Sequence, residues 1–226
     1  SGVSASQIEM NANIQFYDGM TTKDIQNVLV RSANDLISLE SPNYQYAAAR
    51  LLSYDVRKEA HGQYEYTPLL KLILRNIRLG VYDKGIVEKY TTSEIKRFNT
   101  WIKRDRDLNF TYAGLRQVVD KYLVQDRSSG ELYETPQDMY MMIAATLFAD
   151  YPKKTRLNYV KKYYDAISLH KINIPTPVMS GVRTPIRQFA SCVLVDSDDS
   201  LPSIFSSDMA IGLYVARRAG IGINAG

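Results

Sequence analysis

The sequence has one cysteine, two histidines and no long hydrophobic run. Because a single cysteine cannot form an internal disulfide, we expect a reducing compartment, the cytoplasm. The apolar runs fall short of the about 18 residues that a membrane-spanning helix needs, so no membrane partner is expected. His61 and His170 are far apart and have no metal-ligand spacing, so no metal site is predicted.

Strong charge of either sign is also missing. The 226 residues carry 28 Lys and Arg against 24 Asp and Glu, a net charge of +4, with no block of five like charges. This balance predicts no nucleic-acid partner, although it permits anionic ligands such as nucleotides. Because 45% of the residues are hydrophobic, the chain can bury a substantial core as one large domain or two small ones.

Most of the chain has the apolar spacing of amphipathic helices. The residues predicted to be helical are 24–38, 42–62, 66–79, 92–103, 113–123, 136–148, 152–169 and 201–219. Thr21 or Thr22 is expected to cap the first of these helices. Between Lys121 and Thr135, two short β-like pieces around Gly130 predict a small hairpin.

The pattern changes after Lys171. Three prolines and a glycine in "INIPTPVMSGVRTPIRQF" predict an ordered, extended loop. The apolar run 189–195 predicts a strand covered on both faces. A helix follows, and the glycine-rich end "GIGINAG" is predicted to be a loop. Loop, strand and helix in this order are typical of the start of an α/β domain.

Two features near the strand could carry chemistry, and each has a structural alternative. From composition alone, Cys192 is expected to be a small buried hydrophobic residue. A redox role requires a second thiol, which this chain lacks. The turn "SDDSL" at 197–201 is expected to cap a helix rather than bind phosphate, because neighbouring carboxylates repel phosphate.

Two further segments could approach an anion. In "PTPVMSGVRTPIR", hydroxyls and cations are offered by Thr176, Ser180, Arg183, Thr184 and Arg187. A connection held by its prolines explains the same residues, and chemistry alone does not decide between the two. The glycine spacing of "RAGIGINAG" misses the dinucleotide-binding fingerprint, although close approach of its backbone to a ligand stays open.

Several blocks together resemble one family. These are "IQFYDGMTTKDIQ", "KEAHGQYE", "RDRDLNFTYAGLRQ", "KYLVQDRSSGELYETPQ", "IPTPVMSGVRTPIRQFASCVLVDSDDSL" and "RRAGIGINAG". They are similar to the large (alpha) subunit of class I ribonucleotide reductase, of the aerobic enterobacterial and T-even-like phage type. The resemblance implies a mainly α N-terminal region with a partial ATP cone at 1–62 and a helical domain with a small β-hairpin at 63–187. It implies the first strand and helix of a ten-stranded α/β barrel at 188–226.

The resemblance also implies roles for individual residues. Cys192 matches a barrel thiol that protonates the departing 2′-hydroxyl and ends in a disulfide with a second cysteine outside this chain. The implied substrate contacts are Thr176, Ser191, Ala219 and Gly220. The implied contacts of the specificity effector, a deoxynucleoside triphosphate or ATP, are Asp199, Ser200 and Leu201. The implied contacts of the activity-regulating ATP are Thr22 and Lys58.

The same resemblance defines the expected activity and partners. We expect an N-terminal piece, a split-gene product or a fragment, that is inactive without the remainder of the large subunit. With that remainder it would reduce ribonucleoside diphosphates for DNA synthesis. A radical-generating small subunit would supply a tyrosyl radical and di-iron centre, and thioredoxin or glutaredoxin would supply electrons. A homodimer through the effector helix is expected. If a phage encodes the chain, the expected location is the host cytoplasm.

The alternatives are a stand-alone helical ATP-binding regulatory module and an interaction protein without chemistry.

Overall fold

The computed structural model describes residues 2–186, 189–216 and 219–225. The described part of the chain is mainly helical, with one small parallel sheet. Its α-helices are α1 (Ala5–Asn13), α2 (Thr22–Asp35), α3 (Tyr44–His61), α4 (Leu69–Arg78), α5 (Gly85–Lys89), α6 (Thr92–Trp101), α7 (Tyr112–Lys121), α8 (Pro136–Leu147), α9 (Arg156–Ser168), α10 (Thr176–Gly181) and α11 (Leu201–Ala216). A 3₁₀ helix, Arg104–Asn109, separates α6 from α7, and the strands are β1 (Cys192–Ser197) and β2 (Gly220–Ala225).

Threonine side chains begin several of the helices. Thr21, rather than Thr22, caps α2, and its hydroxyl oxygen accepts from the Asp24 N–H at 3.1 Å. Thr91 and Glu94 form a reciprocal capping box at the start of α6. Such caps satisfy N–H groups that have no partner within the helix. The local sequence therefore sets where these helices begin.

Helix α8 lies at the centre of the core. Every residue from Pro136 to Ala145 is buried, as expected for a helix that is packed on all sides. Helix α9 packs along it, while α3 packs against both α2 and α7. Within the described ranges, we find no helix with the length and apolar character needed to cross a membrane.

The eight helices expected from periodicity are confirmed as α2, α3, α4, α6, α7, α8, α9 and α11. Helices α1 and α5 and the 3₁₀ helix were not predicted. The expected hairpin is confirmed only as one antiparallel bridge between Gln125 and Leu132. Gly130, with φ at 77°, closes its turn, a conformation that glycine adopts without strain.

Two expectations for the last third of the chain are wrong. The segment expected to be an extended loop contains α10, because Pro175 precedes the helix and Pro177 lies in its first turn. Proline is compatible with that turn, where the missing N–H would have no helical partner. The glycine-rich end was expected to be a loop, but it forms β2 and pairs in parallel with β1, with Cys192 opposite Gly220.

The strand β1 also differs from its expected burial. A parallel strand with a continuous apolar run is usually covered on both faces. Here α11 packs against β1 and β2, while the side chain of Leu194 is 87% exposed. The expectation of two covered faces is therefore wrong for this chain, because no described element packs over Leu194.

A buried carboxyl group lies beside α8. Asp107 is 2% exposed, and its Oδ1 accepts from Gln137 Nε2 at 2.8 Å. Gln137 Oε1 in turn accepts from the Tyr164 hydroxyl at 2.6 Å. Burial raises the pKa of Asp107 to about 7, against the lowering effect of the Gln137 hydrogen bond. The folded chain therefore holds a proton that the unfolded chain releases near pH 4.

This raised pKa predicts the pH dependence of stability. Between about pH 4 and 7, the folded state binds more protons than the unfolded state, so the free energy of unfolding falls as pH rises. Asp107→Asn should remove much of this slope and make the variant more stable than the wild type at pH 8. Urea unfolding at pH 5 and pH 8 measures the slope. The exposed Asp18 of the α1–α2 connection serves as control: Asp18→Asn should keep the wild-type slope, and equal slopes for both variants would contradict the assignment.

Candidate active site

A cavity of about 820 Å³ lies where the α7–α8 connection meets α10. One wall comes from residues 120–127 and another from α10, and the lining extends to Ala190 and Ser191 just before β1. We call it the anion cavity, because two cations, Lys121 and Arg127, line it with one carboxylate, Asp120, and with the hydroxyl-bearing residues Thr176, Ser180 and Ser191. These groups suit an anionic ligand.

A fully buried ion pair supports the wall of the anion cavity. Arg183 and Glu134 both have completely buried side chains. Arg183 Nε lies 3.0 and 2.9 Å from the two carboxylate oxygens of Glu134, and Arg183 Nη2 also contacts this carboxylate. Paired in this way, the two charges satisfy one another away from water.

The other hydrogen bonds of this pair reach three segments of the chain. Arg183 donates to the carbonyl oxygens of Met179 at 2.5 Å and Tyr122 at 2.8 Å. Glu134 accepts from the Val124 N–H at 2.8 Å and from the Tyr82 hydroxyl. The ion pair therefore connects α10 to the 122–134 segment and to the residues that follow α4.

The protonation states of this cluster follow from burial and charge. Burial and the adjacent carboxylate of Glu134 raise the pKa of Tyr82 well above its usual value. Burial lowers the pKa of Arg183, but the attraction of Glu134 outweighs it and the net change is upward. Tyr82 thus remains a hydrogen-bond donor and Arg183 remains a cation at neutral pH.

The ion pair decides between the two interpretations left open for Arg183. Its side chain is enclosed and paired with Glu134, which favours the structural connection over an anion contact. Thr184 is mostly buried, and its hydroxyl donates to the Gly181 carbonyl at 2.9 Å. Arg187 lies outside the described residues. The partner of Arg183 is 49 positions away in the sequence, so no local pattern could have identified it.

Thr176 is the first residue of α10 and lines the anion cavity. Its Oγ1 lies 3.5 Å from the hydroxyl of Tyr122, which accepts from Gln117 Nε2 at 3.1 Å. Hydrogen bonds to Thr176 and to Gln117 lower the pKa of Tyr122. Sequence reasoning missed Tyr122, although it is the side chain next to the expected substrate contact.

The other expected substrate contacts lie around the start of β1. The Gly220 N–H donates to the Ser191 carbonyl at 2.8 Å, and a Cβ at Gly220 would lie only 3.2 Å from that oxygen. Glycine therefore allows this close approach of the two strands. Ala219 is buried immediately before β2. The structure brings Ser191, Ala219 and Gly220 together, with Ser191 in the same cavity wall as Thr176.

Cys192 follows Ser191 and begins β1. Its thiol is free and exposed. The expectation from composition, a small buried hydrophobic side chain, is therefore wrong. An exposed thiol on a strand is held in place by the sheet hydrogen bonds while remaining accessible to a ligand.

The three expected effector contacts lie at the start of α11. Ser200 accepts from the Ser203 N–H at 3.3 Å, and Ser203 accepts from the Asp198 N–H at 2.9 Å. This pattern confirms that the turn caps the helix. Asp199, Ser200 and Leu201 are all exposed, so their outer surfaces are accessible.

The two expected activity-site residues lie at neighbouring helix ends. Lys23 Nζ is 3.9 Å from Glu59 Oε1, which brings the start of α2 beside the end of α3. Thr22 and Lys58 are the sequence neighbours of this pair, and both are exposed. Lys58 Nζ lies 5.6 Å from the centre of the Tyr64 ring.

Among the described residues, no group of three or more His, Cys, Asp or Glu side chains could hold a metal ion.

Part of the chain matches a family of known domains. Residues 108–187 match the ribonucleotide reductase all-alpha domain, which agrees with the helices α7 to α10 in that range.

Relatives extend the match to the whole chain. The chain is 52% identical to "Ribonucleoside-diphosphate reductase 1 subunit alpha" of Escherichia coli K12, over 99% of this chain and 29% of that protein. It is 51% identical to the protein of the same name from Salmonella typhimurium, over 100% and 30%. It is 44% identical to "Ribonucleoside-diphosphate reductase subunit alpha" of phage T4, over 100% and 30%. The chain is thus similar over its whole length to the N-terminal portion of ribonucleoside-diphosphate reductase alpha subunits, and it spans about 30% of the length of these curated relatives.

The buried ion pair yields a prediction for stability. Glu134→Gln leaves the Arg183 guanidinium enclosed without a counter-charge, which typically costs about 3–5 kcal/mol. Urea unfolding should show a loss of this size in the free energy of unfolding. The matched control is Glu88→Gln, which removes an exposed i,i+4 pair with Lys84 and should cost less than about 0.5 kcal/mol. Equal losses in the two variants would contradict the supporting role of the pair.

Proposed function

We propose that this chain forms the N-terminal part of the alpha subunit of a ribonucleoside-diphosphate reductase and contributes one wall of its substrate site. The observation that carries the proposal is the juxtaposition at the anion cavity. Thr176 and Ser191 line the cavity, Gly220 is hydrogen-bonded to Ser191, and the exposed thiol of Cys192 follows directly. Ser191, Cys192 and Gly220 lie 15, 16 and 44 positions after Thr176 in the sequence.

In this proposal the anion cavity receives the diphosphate of the substrate. Thr176 donates a hydroxyl to the diphosphate, and Lys121 and Arg127 add positive charge at a lining that also includes Asp120. Ser191 lies at the ribose. The backbone near Gly220 is accessible because glycine has no side chain. The ribose would then lie toward the start of β1, within reach of the Cys192 thiol.

The chemical role of Cys192 is to supply one half of a dithiol. Its proton goes to the departing 2′-hydroxyl, which leaves as water. The two electrons that replace the carbon–oxygen bond with a carbon–hydrogen bond come from two thiols, which become a disulfide. The second thiol belongs to the remainder of the subunit, and thioredoxin or glutaredoxin restores both. The small subunit supplies the radical from its tyrosine and di-iron centre.

The domain boundaries and regulatory sites are part of the same proposal. Residues 1–62 form a partial ATP cone, 63–187 the helical domain and 188–226 the start of the catalytic barrel. Asp199, Ser200 and Leu201 contact the specificity effector, and Asp199 is suited to accept from a ribose hydroxyl or a base because a carboxylate repels phosphate. Thr22 and Lys58 contact the activity-regulating ATP.

Helix α11 supports the proposed homodimer. Leu201, Phe205, Met209 and Leu213 follow one another at intervals of four residues, and all are exposed. Residues four apart share one face of a helix, so they form one apolar stripe. A stripe of this kind is self-complementary across a two-fold axis, as in an isologous interface.

The test is reconstitution of activity. The chain is co-expressed with the remaining part of a related alpha subunit and a small subunit, and conversion of a ribonucleoside diphosphate to its deoxy form is measured. The assembled wild type should be active. Cys192→Ser, which retains a hydroxyl of similar size but cannot enter a disulfide, should lower kcat by at least about a thousand-fold.

The control is a variant that removes a hydroxyl group outside the anion cavity. Ser93→Ala, at an exposed position of α6, should retain full activity. Activity that survives Cys192→Ser would refute the role of Cys192. An inactive assembly of folded, associated wild-type pieces would refute the proposed function itself.

A further inference from the structure

A second cavity, of about 440 Å³, lies behind the wall of the anion cavity. We call it the aromatic cavity, because the rings of Phe110, Tyr122, Tyr140 and His170 line it. Among the described residues, Tyr122 is the one that contributes to both cavities. The role proposed above for the anion cavity does not use the aromatic cavity.

Tyr140 places an unpaired donor in this cavity. The residue is only 3% exposed, and its hydroxyl has no hydrogen-bond partner among the described residues, unlike the hydroxyl of Tyr90, which donates to the Ala145 carbonyl. Burial raises the pKa of Tyr140 to about 13, so the hydroxyl keeps its proton. Because Tyr140 lines the cavity, this O–H group is available to an acceptor on a bound molecule.

His170 contributes a second polar ring. It has a φ of 56° and is the only non-glycine residue with a positive φ in the described part of the chain. This conformation ends α9 and holds the imidazole 4.9 Å from Phe110 and 6.4 Å from Tyr140, measured between ring centres. Burial lowers the pKa of His170. The neutral ring offers one donor and one acceptor.

The lining of the aromatic cavity carries no formal charge. No Lys, Arg, Asp or Glu of the described ranges is part of its wall, and its other polar side chains are Asn109, Thr111, Gln117 and Asn173. The lining of the anion cavity, by contrast, contains the charged residues Asp120, Lys121 and Arg127. An ionised ligand would lose its hydration in the aromatic cavity without gaining a counter-charge, whereas a neutral flat ring would stack on the aromatic walls.

We propose that the aromatic cavity binds an uncharged planar heterocycle with a ring-nitrogen acceptor, such as a free nucleobase or nucleoside without phosphate. The aromatic side chains contact the faces of the ring, and the Tyr140 hydroxyl donates to the ring nitrogen. The charged groups of the anion cavity remain available for phosphorylated ligands.

The experiment compares two probes that differ in the acceptor. Benzimidazole has an acceptor nitrogen, and indole, of the same shape, does not. Saturation-transfer NMR titrations of the purified chain at about pH 8, where both probes and His170 are neutral, give their affinities. Benzimidazole should bind about 5- to 10-fold more tightly than indole, the difference expected for one hydrogen bond. Adenine should compete with it.

The variant Tyr140→Phe removes only the hydroxyl oxygen and should bring the ratio of the two affinities to about 1. The matched control is Tyr163→Phe, a half-buried tyrosine of α9 outside both cavity linings, which should keep the wild-type ratio. An unchanged ratio in Tyr140→Phe overturns the proposal.

In the wild type alone, nuclear Overhauser contacts from bound benzimidazole to the rings of Phe110 and His170 are expected. Absence of those contacts, or of saturable binding up to about 5 mM, overturns the proposal even if the variant does not fold.

Discussion

The buried ion pair between Arg183 and Glu134 organises the part of the molecule where the candidate active site lies. Both side chains are fully buried, so each charge depends on the other and on the surrounding hydrogen bonds. Through these bonds the pair holds α10 by the Met179 carbonyl and the 122–134 segment by the Tyr122 carbonyl and the Val124 N–H. The position of Thr176, on the first turn of the same short helix, therefore depends on a contact deep below the cavity surface.

The two cavities on either side of Tyr122 differ in chemistry. The lining of the anion cavity includes hydroxyls, two cations and the carboxylate of Asp120, and the lining of the aromatic cavity includes rings, neutral amides and the hydroxyl of Thr111. Arg183 fixes the backbone of Tyr122 from below, while Gln117 and Thr176 contact its hydroxyl from either side. Tyr122 thus lines both a cavity with charged side chains and a cavity whose described lining has none.

The segment that matches the family domain and the strand unit that follows it both contribute residues to the candidate site. The all-alpha domain covers residues 108–187 and contributes Thr176, Tyr122 and the ion pair. Ser191, Cys192 and Gly220 come from the β1–α11–β2 unit that follows. The site is therefore built across a boundary between two kinds of architecture, a helical region and a parallel sheet. Positions at such boundaries are where ligands commonly bind, because the two units leave a cleft that neither could form alone.

The sequence by itself determined most of the helices and the family resemblance. Apolar spacing and threonine caps act over three or four residues, so α2, α6 and α8 could be located without the fold, and the linear blocks around "PTPVMSG" and "RQFASC" carried the resemblance. Only the tertiary structure decided that Arg183 is enclosed rather than free for a ligand, because its partner lies 49 positions away. It also decided that the glycine-rich end is a strand, since β2 exists only by pairing with β1. Burial and pairing are properties of segments that meet in space, and for that reason the exposure of Cys192 could not be deduced from the apolar run in which it lies.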